Sequence, residues 1–311
     1  MVYDRWNCSG SIMSIEFNNL AVSGNVVLGP LLKPIPPIPP GQIAYTAPGS
    51  YTFTVPADVT TISFVVIGAG AYGSFTTSAS GNGQGGAGGA LAYRTVSVTP
   101  GQTIYANVGS ALETQNAYDA PVYSSGAHGN SNVTVGSEIT TATGGNRATI
   151  AGGYPAGTYD GGGHGGQGGS KYDAVNGILG GGGGAGGYGA NGGGGGAWGG
   201  DFAANTAGSL GGGNGGNYYY GYYNGFITSG GGGGANIFGP SIPGEAGFAT
   251  GLPTANVGEG GNYGGGGGVL RYPQYTGGGS PPGIAGKNGA VRIIWGTDRM
   301  YPNTNVQDVI S

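Results

Sequence analysis

The chain is 311 residues long and 79 of them are glycine, about a quarter where globular proteins carry about 7%. Charged residues make up 7% and the net charge is −4, so no basic patch is present to neutralise phosphates, which argues against a nucleic-acid partner. No cationic amphipathic stretch marks a membrane surface, and the longest apolar run, Ile62–Ile67, is far too short to span a bilayer.

Met1-Val2-Tyr3-Asp4-Arg5 leads into Trp6 and Asn7 rather than an apolar segment, so no secretory signal is expected and synthesis in a reducing cytoplasm follows. Cys8 is the only cysteine, which rules out an intrachain disulfide and leaves a small hydrophobe. Residues 1–29 alternate loosely (Ile12, Ile15, Phe17, then Val26, Val27, Leu28) and read as an attachment segment with a pair of short strands. Residues 30–41 are a proline-rich spacer, with six prolines in 30–40. Such a stretch favours a stiff polyproline-II rod, or else a coil lying on the body.

Residues 42–143 read as β-structure. Tyr51–Val55 alternates like a half-buried strand, Pro56-Ala57-Asp58 turns the chain, and the β-branched run Thr61–Ile67 fits a central strand. Leu91–Val98, Pro100-Gly101 and Gln102–Val108 read as a hairpin, and Asn132–Val135 adds a short strand. No capping box or sustained helical stripe separates them. Ala290–Trp295 alternates again after the glycine region. If it joins the earlier strands, residues 42–143 plus 289–296 form an antiparallel β-sandwich. A structureless loop of about 145 residues inside one sheet would be unusual, so the intervening segment is expected to be ordered.

That segment, 144–288, poses the central physical problem. Its glycine bursts include Gly161–Gly169, Gly180–Gly189, Gly192–Gly200 and Gly264–Gly268. Ordering glycine costs more backbone entropy than ordering any other residue, roughly 1–2 kcal/mol each, with no side chain to offset it. Polyproline-II helices offer a solution, because their outward amides can bond to neighbouring helices that only glycine lets approach. The strict Gly-X-Y period of collagen is absent. A bundle of polyglycine-II rods about 30 Å long, closed by the C-terminal strand, is therefore expected, with 297–311 as a tail. The inserts 170–179, 190–191, 201–210, 217–229, 236–257 and 269–276 become the connecting loops. Strict alternation of rods would put 170–179, 201–210 and 236–257 at one end and the rest at the other. The second group collects Tyr218, Tyr219, Tyr220, Tyr222, Tyr223 and Phe226 with Arg271, Tyr272 and Tyr275. It is a candidate contact face, because tyrosine joins apolar area to a polar tip; alternatively the rings cap the bundle.

Other motifs carry less. Gly68-Ala69-Gly70-Ala71-Tyr72-Gly73 spells the dinucleotide fingerprint after a strand, but neither the following helix nor the later acidic residue is present. Asp160, Asp173, Asp201, Glu245 and Glu259 are too irregular for repeated calcium sites, and His128 and His164 lack ligand partners at useful spacing. No nucleophile elbow appears. No enzymatic activity, cofactor or metal is expected.

The stretches FTVPADVTTISFVVIGAGA and GGAGGALAYRTVSVTPGQTIYANVGSA, the glycine bursts, the closing NGAVRIIWG and RMYPNTN together resemble the glycine-rich domain of tailed-bacteriophage virion proteins over roughly residues 45–303. The type is that of tail fibres and adhesins, with a cyanophage-like C-terminus. The resemblance implies a β-module carrying a polyglycine-II bundle exposed on the virion, with loops at the bundle's end touching the host surface. It transfers no catalytic or binding residue. The expectation is a virion structural protein, attached to other virion proteins through residues 1–40. Host-surface glycan or outer-membrane protein is its expected contact, without membrane insertion. A homo-oligomer is expected, although no coiled-coil heptad sets its order. The alternative is a head-fibre, capsid-decoration or collar/baseplate protein with no receptor role.

Overall fold

The computed structural model describes residues 7–9, 12–14, 38–73, 75–76, 83–111, 129–146, 150–169, 180–196, 207–216, 227–242, 244–247, 259–271, 284–303 and 306. At 7–9, 12–14, 75–76, 227–228 and 270–271 the description is of backbone only. The chain divides after Pro37 into a small unit, Met1–Pro37, and a large one, Ile38–Ser311. In the small unit β1 (Asn7–Ser9) pairs antiparallel with β2 (Ile12–Ser14), Cys8 opposite Met13.

The large unit is all-β. Its strands are β3 (Gly41–Tyr45), β4 (Gly49–Thr54), β5 (Thr61–Ile67), β6 (Phe75–Thr76), β7 (Leu91–Ser97) and β8 (Thr103–Val108). They continue as β9 (Ser131–Val135), β10 (Glu138–Ala142), β11 (Pro155–Gly157), β12 (Gly161–Gly163), β13 (Ile227–Thr228), β14 (Leu270–Arg271) and β15 (Ala290–Trp295). Two antiparallel five-stranded sheets result. The outer sheet runs β11-β10-β9-β8-β4 and the inner sheet β12-β7-β5-β15-β3. The closing strand β15 lies between β3 and β5, with Ile293 opposite Ile43 and Phe64. Beyond the expected bounds, β11 and β12 add residues 155–163 to the sheet edges.

The two sheets share one core of Phe53, Val55, Ile62, Phe64, Val66, Ile104, Ala106, Val133, Val291 and Ile293, among others. β5 is buried along six of its seven residues because both faces are covered, which explains a largely apolar run interrupted only by buried Ser63. The expected β7–β8 hairpin does not form. Both edges of β7 are already occupied, by β5 and β12, and β8 pairs with β4 and β9 instead. The Thr99–Gln102 turn therefore carries the chain across the core from one sheet to the other. It is fixed by Gln102 N–H to Thr99 O at 2.9 Å and Gly101 N–H to Val55 O at 2.9 Å.

The far face of the inner sheet is covered by a second core: Val65, Ile67, Leu91, Ala185, Tyr188, Ala235, Ile237, Ala290, Ile294, Tyr301 and Val306. Residues 297–311, expected as a tail, thus supply Tyr301 and Val306 to the interior. Arg292, in the middle of β15, points into this core at 1% exposure. Its guanidinium donates to Ile237 O (3.2 Å), Tyr301 Oη (3.0 Å), Val306 O and Gln42 Oε1 (2.7 Å), and lies 4.7 Å over the Phe238 ring. Such a group is retained in the interior only when its N–H donors are met, as here.

Tyr188 stacks on Tyr301 with ring centroids 5.6 Å apart, donates to Asn236 O (2.8 Å) and accepts from Gly239 N–H (3.3 Å). Burial pushes its phenol well above the ordinary 10.0, and Tyr301 adds to the rise. The folded state holds a proton that the unfolded chain releases above pH 10.0, so stability is full below that pH and falls as pH rises past it. In thermal melts from about pH 8 to 11 the wild type is expected to lose stability more steeply on the alkaline side than Tyr188→Phe. At neutral pH the variant is expected to be less stable by about 1–3 kcal/mol, because Gly239 N–H and Asn236 O lose their partner.

Candidate functional site

The glycine segments surround the central stretch Gly180–Tyr188, whose amides from Gly180 to Gly187 show a strict order. Gly180, Gly183 and Gly186 donate to Gly83, Gly86 and Gly89; Gly181, Gly184 and Gly187 donate to Gly196, Gly193 and Ala190; Gly182 and Ala185 donate to Gly230 and Gly233. Every third amide therefore meets the same neighbour. Its carbonyls are used in the same way: Gly169 and Gly166 donate to Gly181 and Gly184, Gly216 and Gly213 to Gly182 and Ala185, and Gly266 to Gly183. Six neighbouring segments thus satisfy one buried strip of backbone, as interior amides require.

Glycine is required here by distance. A Cβ on Gly182, Gly183, Gly184 or Gly186 would stand 2.2, 2.2, 2.0 and 2.2 Å from the carbonyl oxygen of Gly266, Gly166, Gly213 and Gly163. The rejected dinucleotide motif has the same explanation. A Cβ on Gly68, Gly70 or Gly73 would meet Thr143 O at 2.2 Å, Gly265 O at 2.1 Å and Gly268 O at 1.6 Å. Its spacing serves backbone packing.

The body has two unlike ends. At the sheet end the chain reverses in described turns: Gly187 N–H bonds Ala190 O, Tyr188 N–H bonds Leu210 O, and Ala235 N–H bonds Tyr263 O. At the other end one hydrogen-bonded layer joins Gly73 to Ile284, Gly180 to Gly83, Gly85 to Gly169, Gly169 to Gly181, Gly181 to Gly196, Gly196 to Gly216 and Gly182 to Gly230. These residues flank the chain's departures at 74–82, 170–179, 197–206, 217–226 and 272–283. Gly247, which precedes 248–258, sits beside Gly231 next to the same layer. The expected sorting of loops onto alternate ends is therefore corrected: the flanks of 170–179 meet in one layer with those of 217–226 and 272–283. Short segments such as 207–216, 244–247 and 259–269 also reverse the chain, which upsets a count based on long glycine runs.

A small sheet marks this departure end. β14 pairs antiparallel with β13 (Ile227 opposite Arg271) and parallel with β6 (Thr76 opposite Arg271). Residues following Tyr218–Tyr223 and preceding Tyr272 are thus joined, and a third segment, 75–76, which the sequence did not single out, joins them. Ser229 latches the arrangement. Its buried hydroxyl donates to Gly180 O at 2.7 Å and accepts from Val269 N–H at 2.7 Å. The backbone of Arg271 is the described part of the predicted contact face. Tyr218, Tyr219, Tyr220, Tyr222, Tyr223, Phe226, Tyr272 and Tyr275 lie outside the described residues, as do His128, Asp173 and Asp201.

The remaining acids are engaged by the chain itself. Asp160 accepts from Thr95 N–H (2.7 Å), Glu245 from Asn262 N–H (3.3 Å), and Glu259 pairs with Lys287 at 2.6 Å. Among the described residues no group of three His, Cys, Asp or Glu is placed to hold a metal. A shallow cavity of about 240 Å³ lies at the sheet end, lined by Leu210, Asn214, Pro240, Ser241 and Glu245, away from the departure layer.

A family model described as a glycine-rich domain matches residues 46–296. No curated protein matches the chain significantly.

Two substitutions test this geometry. Gly184→Ala is expected to destabilise by about 3 kcal/mol or more, since backbone rather than a mobile side chain opposes the added carbon. Gly129→Ala, whose Cβ would meet only Gly144 Cα at 3.4 Å, should stay within about 0.5 kcal/mol in the same denaturant titrations. Ser229→Ala leaves a buried Val269 N–H without its partner and is expected to cost about 1–3 kcal/mol. Hydrogen exchange is expected to show the added opening centred on residues 227–229 and 269–271.

Proposed function

The chain belongs to the glycine-rich domain family, and from that premise we propose that its glycine segments form a polyglycine-II bundle within a non-enzymatic structural protein of a tailed-phage virion. The carrying observation is the amide order of Gly180–Gly187. A repeat of three in bonding partners matches the three residues per turn of polyproline II. Sheets and bundle then make a rigid projecting body, and residues 1–40 attach it to other virion proteins. The described chain leaves the bundle repeatedly from one end, which supports a tail-fibre or adhesin component whose loops touch host-surface glycan or outer-membrane protein. Tyr218, Tyr219, Tyr220, Tyr222, Tyr223, Arg271, Tyr272 and Tyr275 are the residues proposed for that contact, in a homo-oligomeric assembly.

The test uses the phage that encodes the chain, with 217–226 replaced by a Gly-Ser segment of equal length. Adsorption to the host is expected to slow by about tenfold or more, as loss of aromatic anchors does at other interfaces, with particle yield unchanged. Unchanged adsorption would favour a head-fibre, decoration or collar/baseplate role. Absence of the chain from purified particles by mass spectrometry would overturn the virion assignment altogether.

A further inference from the structure

The outer sheet has one face on the core and one face open. Four of the most exposed large side chains among the described residues, Tyr105, Ile139, Tyr154 and Tyr159, belong to this sheet or its edge. Cross-strand register sorts the open face into rows. Thr52, Tyr105, Thr134 and Ile139 form one; Ser50, Asn107, Asn132 and Thr141 form the next. Thr143 and Tyr154 extend the array, bonded to each other through Thr143 N–H to Tyr154 O at 3.1 Å. Pro155 sits opposite buried Ala142, so Tyr154, one residue earlier, faces outward with Thr141 and Thr143.

The chemistry of this face is narrow. The rows contain hydroxyl and amide groups, two tyrosines at 58% and 54% exposure, Ile139 at 48%, and no charged side chain. Glu138, at the end of β10, is paired with Arg94. Among the described residues, an anionic ligand would find no cation on the face, and a cationic one no carboxylate. A protein partner would be met by serine and threonine between the rings, where the centres of protein interfaces are apolar and poor in serine. Tyrosine rings separated by hydroxyls and amides suit a ligand that is itself a row of apolar ring faces fringed with hydroxyls. Three strand spacings and two residue pairs separate Tyr105 from Tyr154, roughly 20 Å along a diagonal, and Asn132, Thr134 and Thr141 lie between. We propose that the open face of the outer sheet is a binding site for an uncharged glycan chain, with Tyr105 and Tyr154 as stacking platforms at its two ends. This site is separate from the departure end of the glycine body and does not rest on the virion reading.

The intact chain would be run by affinity electrophoresis in gels containing dextran, galactomannan or a β-1,3-glucan, with alginate as an acidic comparison. Retardation is expected in at least one neutral polymer and not in alginate. Tyr105→Ala and Tyr154→Ala should each weaken it by about fivefold or more, with melting temperatures like the wild type because both rings are exposed. The proposal is overturned if no neutral polymer retards the chain, if both variants are retarded as strongly as the wild type, or if alginate retards it more. It is likewise overturned if replacing 217–226, and neither tyrosine, removes the effect. That result would assign sugar contact to the departure end instead.

Discussion

Backbone in a dry interior must trade its hydrogen bonds with water for equally good ones, and this constraint governs the glycine half of the protein. A sheet meets it with two neighbours per strand. The segment Gly180–Tyr188 meets it with six, because its amides and carbonyls leave in three directions. That arrangement needs main chains to approach until one residue's missing Cβ is filled by another's carbonyl oxygen. The entropy lost in ordering glycine is offset by dispersion contact and by bonds made on every side. A side chain on Gly182, Gly183, Gly184 or Gly186 would push a neighbouring carbonyl away.

Such a lattice has no intrinsic end, so the fold must supply one. At the sheet end it does so with ordinary side chains: Ala185, Tyr188, Ala235 and Ile237 pack on the inner sheet, and Tyr301 and Val306 close over them. Arg292 unites these parts, reaching a body turn, the C-terminal segment and β3 from one guanidinium. Arg299 reinforces the same corner, donating to Gly41 O at 2.6 Å and to Gln42 Oε1 at 2.9 Å. Each buried donor here is aimed at an oxygen, so the cost of interior polarity is met by geometry.

What the sequence made legible follows from which signals are local. The alternation of Ala290–Trp295 and the apolar run of Thr61–Ile67 revealed strands that do pair, since side-chain period reports burial directly. Pairing partners are a non-local property. Pro100-Gly101 announced a turn, yet nothing nearby could say that β7 already had two neighbours and that the turn would cross the core. The same holds for Gly68–Gly73, where glycine spacing matched a phosphate-binding loop but answers to Thr143, Gly265 and Gly268 far along the chain. Nothing local marks Arg292 as buried, because the acceptors that meet it come from residues 237, 301 and 306. The meeting of residues 227 and 271 matched the expectation that their loops share an end. The parity count behind that expectation failed, because segments as short as 244–247 also reverse the chain's direction once neighbours complete their bonds.

The asymmetry of the two ends bears on how chemistry can be built into this fold. At the departure layer, the residues flanking an inserted segment are held by neighbours within the layer, so the segment is closed before its own sequence matters. Loop-closure entropy then grows only with the logarithm of length, about 0.6 kcal/mol per doubling. By that scaling, insertions of quite different size would cost nearly the same stability. The glycine body fixes where these segments begin and end while leaving their content open. A recognition surface built there, as proposed above, would take its chemistry from those inserted segments. On the open face of the outer sheet the reverse holds: Thr52, Tyr105, Thr134 and Ile139 keep their spacing because each is locked in strand register. The two proposed surfaces would thus differ in kind: one would draw its chemistry from inserted segments, the other its geometry from strand register.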